Sequence, residues 1–220
     1  MTRAYIAWSS GKDSAFALHT VRLAGEVEVV GALTTVAEPF DRVSMHGVRR
    51  SILEAQAAAA GLPLLTVNLP APCSNAQYEA RMAAAVAHMQ ADGVEAVVFG
   101  DLFLADIRAY REAQMAAVGM QAVFPLWGRP TAGLAEEIIE SGIEARIVCL
   151  DPARLDPCFA GRRYDAALLD ALPAAVDPCG ENGEFHTLVI GGPMFGGPLS
   201  VREGETVTRD GFVFADFEPQ

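Results

Sequence analysis

Positive charge is scarce in this chain, and lysine is almost absent. Of its 16 basic residues, 15 are arginine and only Lys12 is lysine; 28 acidic residues bring the net charge to -12. An extended nucleic-acid interface needs a basic surface, because phosphate contacts supply most of the affinity. The balance therefore counts against tRNA or DNA as a partner. A nucleotide needs only a few donors at one loop and is not excluded. Cysteine is also sparse: Cys73, Cys149, Cys158 and Cys179 form no CxxC pair and show no zinc spacing. No apolar run approaches the roughly 20 residues that span a bilayer, so no membrane partner is expected. Met1 to Trp8 lacks the charged start, apolar centre and cleavage site of a secretory signal, and a cytoplasmic setting is expected.

What is present is the material of an ordinary globular protein, 51% hydrophobic and 20% charged. Short apolar runs (Tyr5 to Trp8, Val27 to Leu33, Leu64 to Val67, Ala96 to Phe99, Ala145 to Leu150) read as buried strands. Helix-period segments separate them. One carries Val48, Ile52, Ala55 and Ala59; a second starts at a Ser74/Gln77 capping box; a third ends at Gly119. Repeated strand–helix units predict an α/β fold with a doubly wound, mainly parallel sheet whose site lies at the carboxyl ends of the strands. The pattern changes after Phe124, glycine and proline recur from Pro173, and Asp210-Gly211 signals a hairpin. Residues 1–125 are thus expected to form an α/β domain, and 126–220 a smaller α+β C-terminal domain.

The segment Ser9-Ser10-Gly11-Lys12-Asp13-Ser14 lies between an apolar strand and a helical segment. In that context Gly11 allows close backbone approach to a phosphate, and the free amides of the first helical turn point at it. Lys12 adds a compact charge, while Ser9, Ser10 and Ser14 add hydroxyls. The loop position predicts an exposed Lys12. This is not a Walker A loop: Asp13 stands where Ser or Thr would follow the lysine.

Two further constellations carry chemistry. Gly100-Asp101 ends an apolar strand, where Asp101 suits magnesium, a ribose hydroxyl or a plain helix cap; Arg108 and Glu112 follow, four residues apart. Later, Cys179-Gly180-Glu181-Asn182-Gly183-Glu184-Phe185-His186-Thr187 crowds proton-transferring and hydrogen-bonding side chains into a glycine-rich stretch before an apolar strand. Its two glycines suggest unusual backbone angles, and the stretch reads as a binding loop. His46 is read as opening a helix beside Arg49, either touching ligand or facing solvent.

The loop resembles the SGGKDS signature of the PP-loop ATP pyrophosphatases, with Ser10 replacing the first glycine. Together the motifs resemble one branch of that superfamily, the diphthine–ammonia ligase family, in its bacterial form. The resemblance runs from Trp8–Ser14 through Ser44–Arg49, Gly100-Asp101 and Pro125-Leu126-Trp127 to Cys179–Thr187. It implies ATP and Mg²⁺ as cofactors, with Asp13 and Asp101 as the metal's carboxylates. Ser9 to Ser14, Gly100 and Asp101 would bind the nucleotide, and Lys12, Glu184 and His186 would be catalytic. Arg108, Glu112, Glu181, Asn182, Thr187 and His46 would join Glu184 and His186 at the substrate. The implied reaction is adenylation of a carboxylate with release of pyrophosphate, followed by amidation with free ammonia. The acid is the diphthine of elongation factor 2 only in an archaeal or eukaryotic setting, and is otherwise unspecified; a homodimer is left open.

Two alternatives compete. A tRNA-modifying PP-loop enzyme is disfavoured by the acidic charge and the missing pair of reactive cysteines. A non-catalytic ATP-binding sensor would bind ATP and release nothing.

Overall fold

The continuous apolar runs become strands buried on both faces. β1 (Thr2–Ala7) sends Ala4 and Ile6 into one core and Tyr5 into a second core on the opposite face. β5 (Ala96–Val98) does the same, with Ala96 and Val98 on one side and Val97 on the other. Because side chains alternate along a strand, such runs require cover on both sides. In the computed structural model, which describes residues 1–220, that cover is helical. α1 (Lys12–Ala24), α2 (Arg50–Ala59) and α5 (Thr131–Glu140) lie on the Ile6 side. α3 (Asn75–Ala91) and α4 (Ala105–Ala117) lie on the Tyr5 side.

The parallel strands run in the order β4 (Leu64–Leu69), β2 (Val27–Ala37), β1, β5, β6 (Gln121–Val123). The two-residue β3 (Arg42–Val43) pairs antiparallel with the far end of β2. From β1 the chain builds outward through β2 and β4, then returns to β1's other edge for β5 and β6. The carboxyl ends of β1 and β5 are therefore the topological switch point, where this architecture opens a crevice.

A second sheet is antiparallel throughout, in the order β8 (Phe185–Gly191), β7 (Glu144–Leu150), β10 (Phe212–Pro219), β9 (Val201–Arg209); α6 (Ala166–Ala171) lies between β7 and β8 in the chain. Asp210 and Gly211 join β9 to β10 with φ of 50° and 86°, the positive values of a tight hairpin turn. Ile147 and Leu188 of this sheet share one apolar core with Ile6, Leu18, Ile52 and Leu134. An ionic tie joins the halves a second time: Arg42 and Arg49 both bond Asp216, at 2.7 and 2.5 Å. Against the burial that would raise it, these two guanidinium groups hold the Asp216 carboxyl down at about 2. No helix is long and apolar enough to cross a membrane.

One local expectation fails. His46 does not open a helix, because Met45 and Gly47 adopt φ of 66° and 70°, outside the helical region. Residues 43–48 instead close a tight loop through Val43 N–H to Val48 O and Gly47 N–H to Val43 O, and α2 begins only at Arg50.

Candidate active site

A cleft of about 890 Å³ opens at the carboxyl ends of β1 and β5. The first loop contributes Ser9, Lys12, Asp13 and Ser14 to its wall, and the end of β5 contributes Gly100 and Asp101. From the C-terminal half, Glu181, Asn182, His186 and Thr187 reach the same space, and His46 joins them from the loop after β3.

The first loop is held by its own hydroxyls. Ser9 Oγ lies 3.1 Å from Ser14 Oγ and accepts from Gly11 N at 3.3 Å, while Ser14 Oγ donates to Gly11 O at 2.9 Å. α1 starts directly behind, with Asp13 in its first turn. Gly100 is required here by contact: a Cβ at that position would lie 2.9 Å from the backbone of Asp13 and Ser14. Gly11 also has a packing role. The space where its side chain would stand is taken by the protein itself, with His46 Nε2 and Thr187 O each 3.2 Å away. Its lack of a Cβ lets the C-terminal segment close against the loop.

Ser10 is turned into the protein, fully buried, and its Oγ has no protein hydrogen-bond partner. Its φ is 71°, a left-handed conformation that disfavours any residue with a Cβ. The resembling signature carries glycine at this position, which accounts for that glycine physically. Ser10→Gly is expected to stabilise the fold by about 1 kcal/mol, or roughly 2–4 °C in melting temperature, by removing backbone strain and an unpartnered hydroxyl. Calorimetry of the variant checks this; an unchanged or lower melting temperature contradicts it.

Lys12 corrects another expectation, since it is 2% exposed rather than solvated. Its ammonium bonds both Asp13 oxygens, at 2.9 and 3.0 Å, and donates to the Cys179 carbonyl. The rings of Tyr164 and Phe185 lie 5.3 and 5.5 Å from it. Burial works against the charge, yet Asp13 and the surrounding acceptors outweigh it and the ammonium's pKa is raised. The sole lysine is thus a charged post between the two halves of the chain.

The C-terminal segment meets the loop directly. Thr187 Oγ1 accepts from Lys12 N at 3.0 Å, and Val189 N donates to Ser10 O at 2.9 Å. Gly180 and Gly183 have φ of 70° and 84°, the unusual angles that two closely spaced glycines suggest. His186 and Thr187 lie within β8 rather than in the loop before it. Glu184 does not face the cleft. It is 2% exposed, and its carboxylate accepts from Asp177 N (3.1 Å), Asn182 N (3.0 Å) and Asn182 Nδ2 (3.1 Å), which fixes the shape of the turn. Glu181 does face the cleft, and one of its oxygens accepts from Leu102 N at 2.9 Å. Burial raises its carboxyl to about 7; the Leu102 bond opposes this, and nearby Asp13 and Asp101 reinforce it. The His46 and His186 rings are 4.5 Å apart. Burial lowers both, His186 to about 4 with the Lys12 charge contributing, so both imidazoles are neutral at pH 7.

Arg108 and Glu112 are occupied elsewhere. They pair with each other at 2.7 Å, and the Arg108 guanidinium lies over Phe124 and Trp127. The arginine of α4 that reaches the cleft is Arg111, bound to Asp101 at 2.8 Å and resting on Phe99. Helical spacing could have identified it, since Leu104, Ile107 and Arg111 share one face and all line the cleft. Asp101 does not cap α4, whose N-cap is Leu104. Asp13, Asp101 and Glu181 give the cleft hard carboxylate oxygens that suit Mg²⁺. No group of three His, Cys, Asp or Glu side chains is arranged to hold a metal unaided. A Mg²⁺ bound to phosphates needs only one or two protein carboxylates, so the residues fit an ion that arrives with its nucleotide.

Residues 2–122 match the family model of the diphthamide synthase N-terminal domain, and residues 130–216 that of the diphthamide synthase C-terminal domain. A Bos taurus protein named diphthine–ammonia ligase is 32% identical over 103 residues, a match covering 44% of this chain and 39% of the bovine protein's length. With one family model spanning more than half the chain and a second covering most of the rest, the chain belongs to the diphthamide synthase family.

Proposed function

We propose that the chain is an ATP-dependent amide ligase that adenylates a carboxylate and then amidates it with ammonia. The observation that carries this is the meeting, in one cleft, of a glycine loop at a helix N-terminus and a segment bearing Glu181 and His186. A carboxylate oxygen attacks the α-phosphorus, the bond to the bridging oxygen breaks, and pyrophosphate leaves. Ammonia then attacks the acyl carbon, AMP departs, and one proton is lost from nitrogen. Lys12, the hydroxyls of Ser9 and Ser14 and the Asp13 and Ser14 amides of α1 oppose the charge that develops on pyrophosphate. Mg²⁺, held by Asp13 and Asp101, would supply further charge neutralisation on the phosphates. Glu181, with its carboxyl near 7, is matched to take the proton from nitrogen at neutral pH. The neutral imidazoles of His46 and His186 can accept N–H bonds from ammonia without repelling it. Glu184 takes no direct part and holds the turn.

The test is product analysis. ATP labelled at the α-phosphorus, incubated with ammonium chloride and a panel of carboxylic acids, is expected to give labelled AMP with the acid that fits. Labelled ADP as the main product would contradict adenylation. Binding without turnover across a broad panel would favour the sensor alternative.

A further inference from the structure

Gln56, in the middle of α2, is fully buried. Its side chain touches three separate pieces of the structure that builds the cleft. Oε1 accepts from the indole Nε1 of Trp8, at the end of β1, at 3.0 Å. Nε2 donates to Ser10 O in the loop at 3.1 Å and to Val189 O in β8 at 2.7 Å. The indole is a donor only and the two carbonyls are acceptors only, so this amide orientation satisfies all three and the flipped one satisfies none. The Ser10 carbonyl also receives Val189 N–H at 2.9 Å, so Gln56 spans the one backbone bond that ties β8 to the phosphate loop.

We infer that Gln56 is a positioning residue that sets the phosphate loop and the C-terminal segment in register, acting through Ser10 and Val189. No other amino acid reproduces the set. Leucine matches the bulk and offers no polar atom, asparagine is one methylene short, and glutamate supplies the acceptor but donates only when protonated. Buried groups cannot turn to water for substitutes, so removing the amide leaves the Trp8 N–H and the Val189 carbonyl without their partner. The loop and strand then keep only Val189 N–H to Ser10 O and Lys12 N–H to Thr187 Oγ1 between them.

Amide hydrogen exchange and MgATP titration test this together. The exchange arm needs no ligand; the titration arm rests on the ligase reading. Gln56→Leu, with native circular dichroism, is expected to exchange Lys12 and Val189 amides at least about tenfold faster and to bind MgATP about tenfold more weakly, the scale of one lost hydrogen bond. Gln56→Glu supplies the readout that mere filling of space would not move. At about pH 6 its buried carboxyl is protonated and its single O–H replaces one of the two amide donors, so exchange and affinity should be partly restored relative to wild type at the same pH; at about pH 8.5 that recovery should be lost. Should Gln56→Leu fail to fold, this pH pair decides the matter on one polypeptide. Wild-type exchange at both amides in folded Gln56→Leu, or a ratio of Gln56→Glu to wild type that is the same at both pH values, would overturn the assignment. Failure of the wild-type protein to bind MgATP would remove the ligase reading, with the exchange arm still deciding Gln56.

Discussion

Lys12→Ala is expected to weaken MgATP binding about a hundredfold and to destabilise the fold by about 3 kcal/mol. The two effects have different origins. Stability falls because the ammonium is buried between the Asp13 carboxylate and the Cys179 carbonyl, and its removal leaves Asp13 unpaired. Binding falls because a charge opposed to the phosphates is gone. The double variant Lys12→Ala/Asp13→Asn separates them: neutralising the orphaned carboxylate should return much of the stability and none of the affinity. Calorimetric titration beside thermal unfolding checks both. A double variant that binds MgATP like the wild type would remove Lys12 from the phosphate site.

Glu184→Gln is expected to lower turnover more than a hundredfold while MgATP affinity changes less than about threefold. The carboxylate gathers three N–H donors at the turn, and an amide can accept with only one of its two polar atoms. Displacing Glu181 and His186 by about 1 Å suffices for a loss of that size. The pH dependence of turnover distinguishes holding from proton transfer. If Glu184 only holds the turn, the residual activity keeps the wild-type profile at lower amplitude. If Glu184 itself carries a proton, one limb of the profile disappears.

The architecture was legible because its signals are local and repeated. Short, mainly apolar strands alternating with helix-period segments admit little except a sheet covered on both faces, and the Ser74/Gln77 box and the Asp210-Gly211 turn declare themselves within a few residues. The site was legible as two segments, and less so as individual side chains. Glu181, Glu184 and His186 look alike in a string of residues; which one faces the cleft depends on where the turn's amides point. Arg108 and Glu112 form the i,i+4 ion pair that their spacing allows, and it is Arg111, on the face shared with Leu104 and Ile107, that reaches the cleft. Lys12 looked exposed because the segment that covers it lies 167 residues away. Gln56 gives no local signal, since its partners at Trp8, Ser10 and Val189 converge only in the folded chain.

On the proposed reading, one cleft holds ATP by the loop after β1 and presents its α-phosphorus to the C-terminal segment. A crystal structure with the non-hydrolysable α,β-methylene analogue of ATP tests it most directly. The β- and γ-phosphates should lie against the hydroxyls of Ser9 and Ser14 and the Asp13 and Ser14 amides of α1, with the α-phosphorus on the side of Glu181 and His186. A nucleotide bound outside the cleft, or one whose α-phosphorus points away from those two residues, would contradict the account.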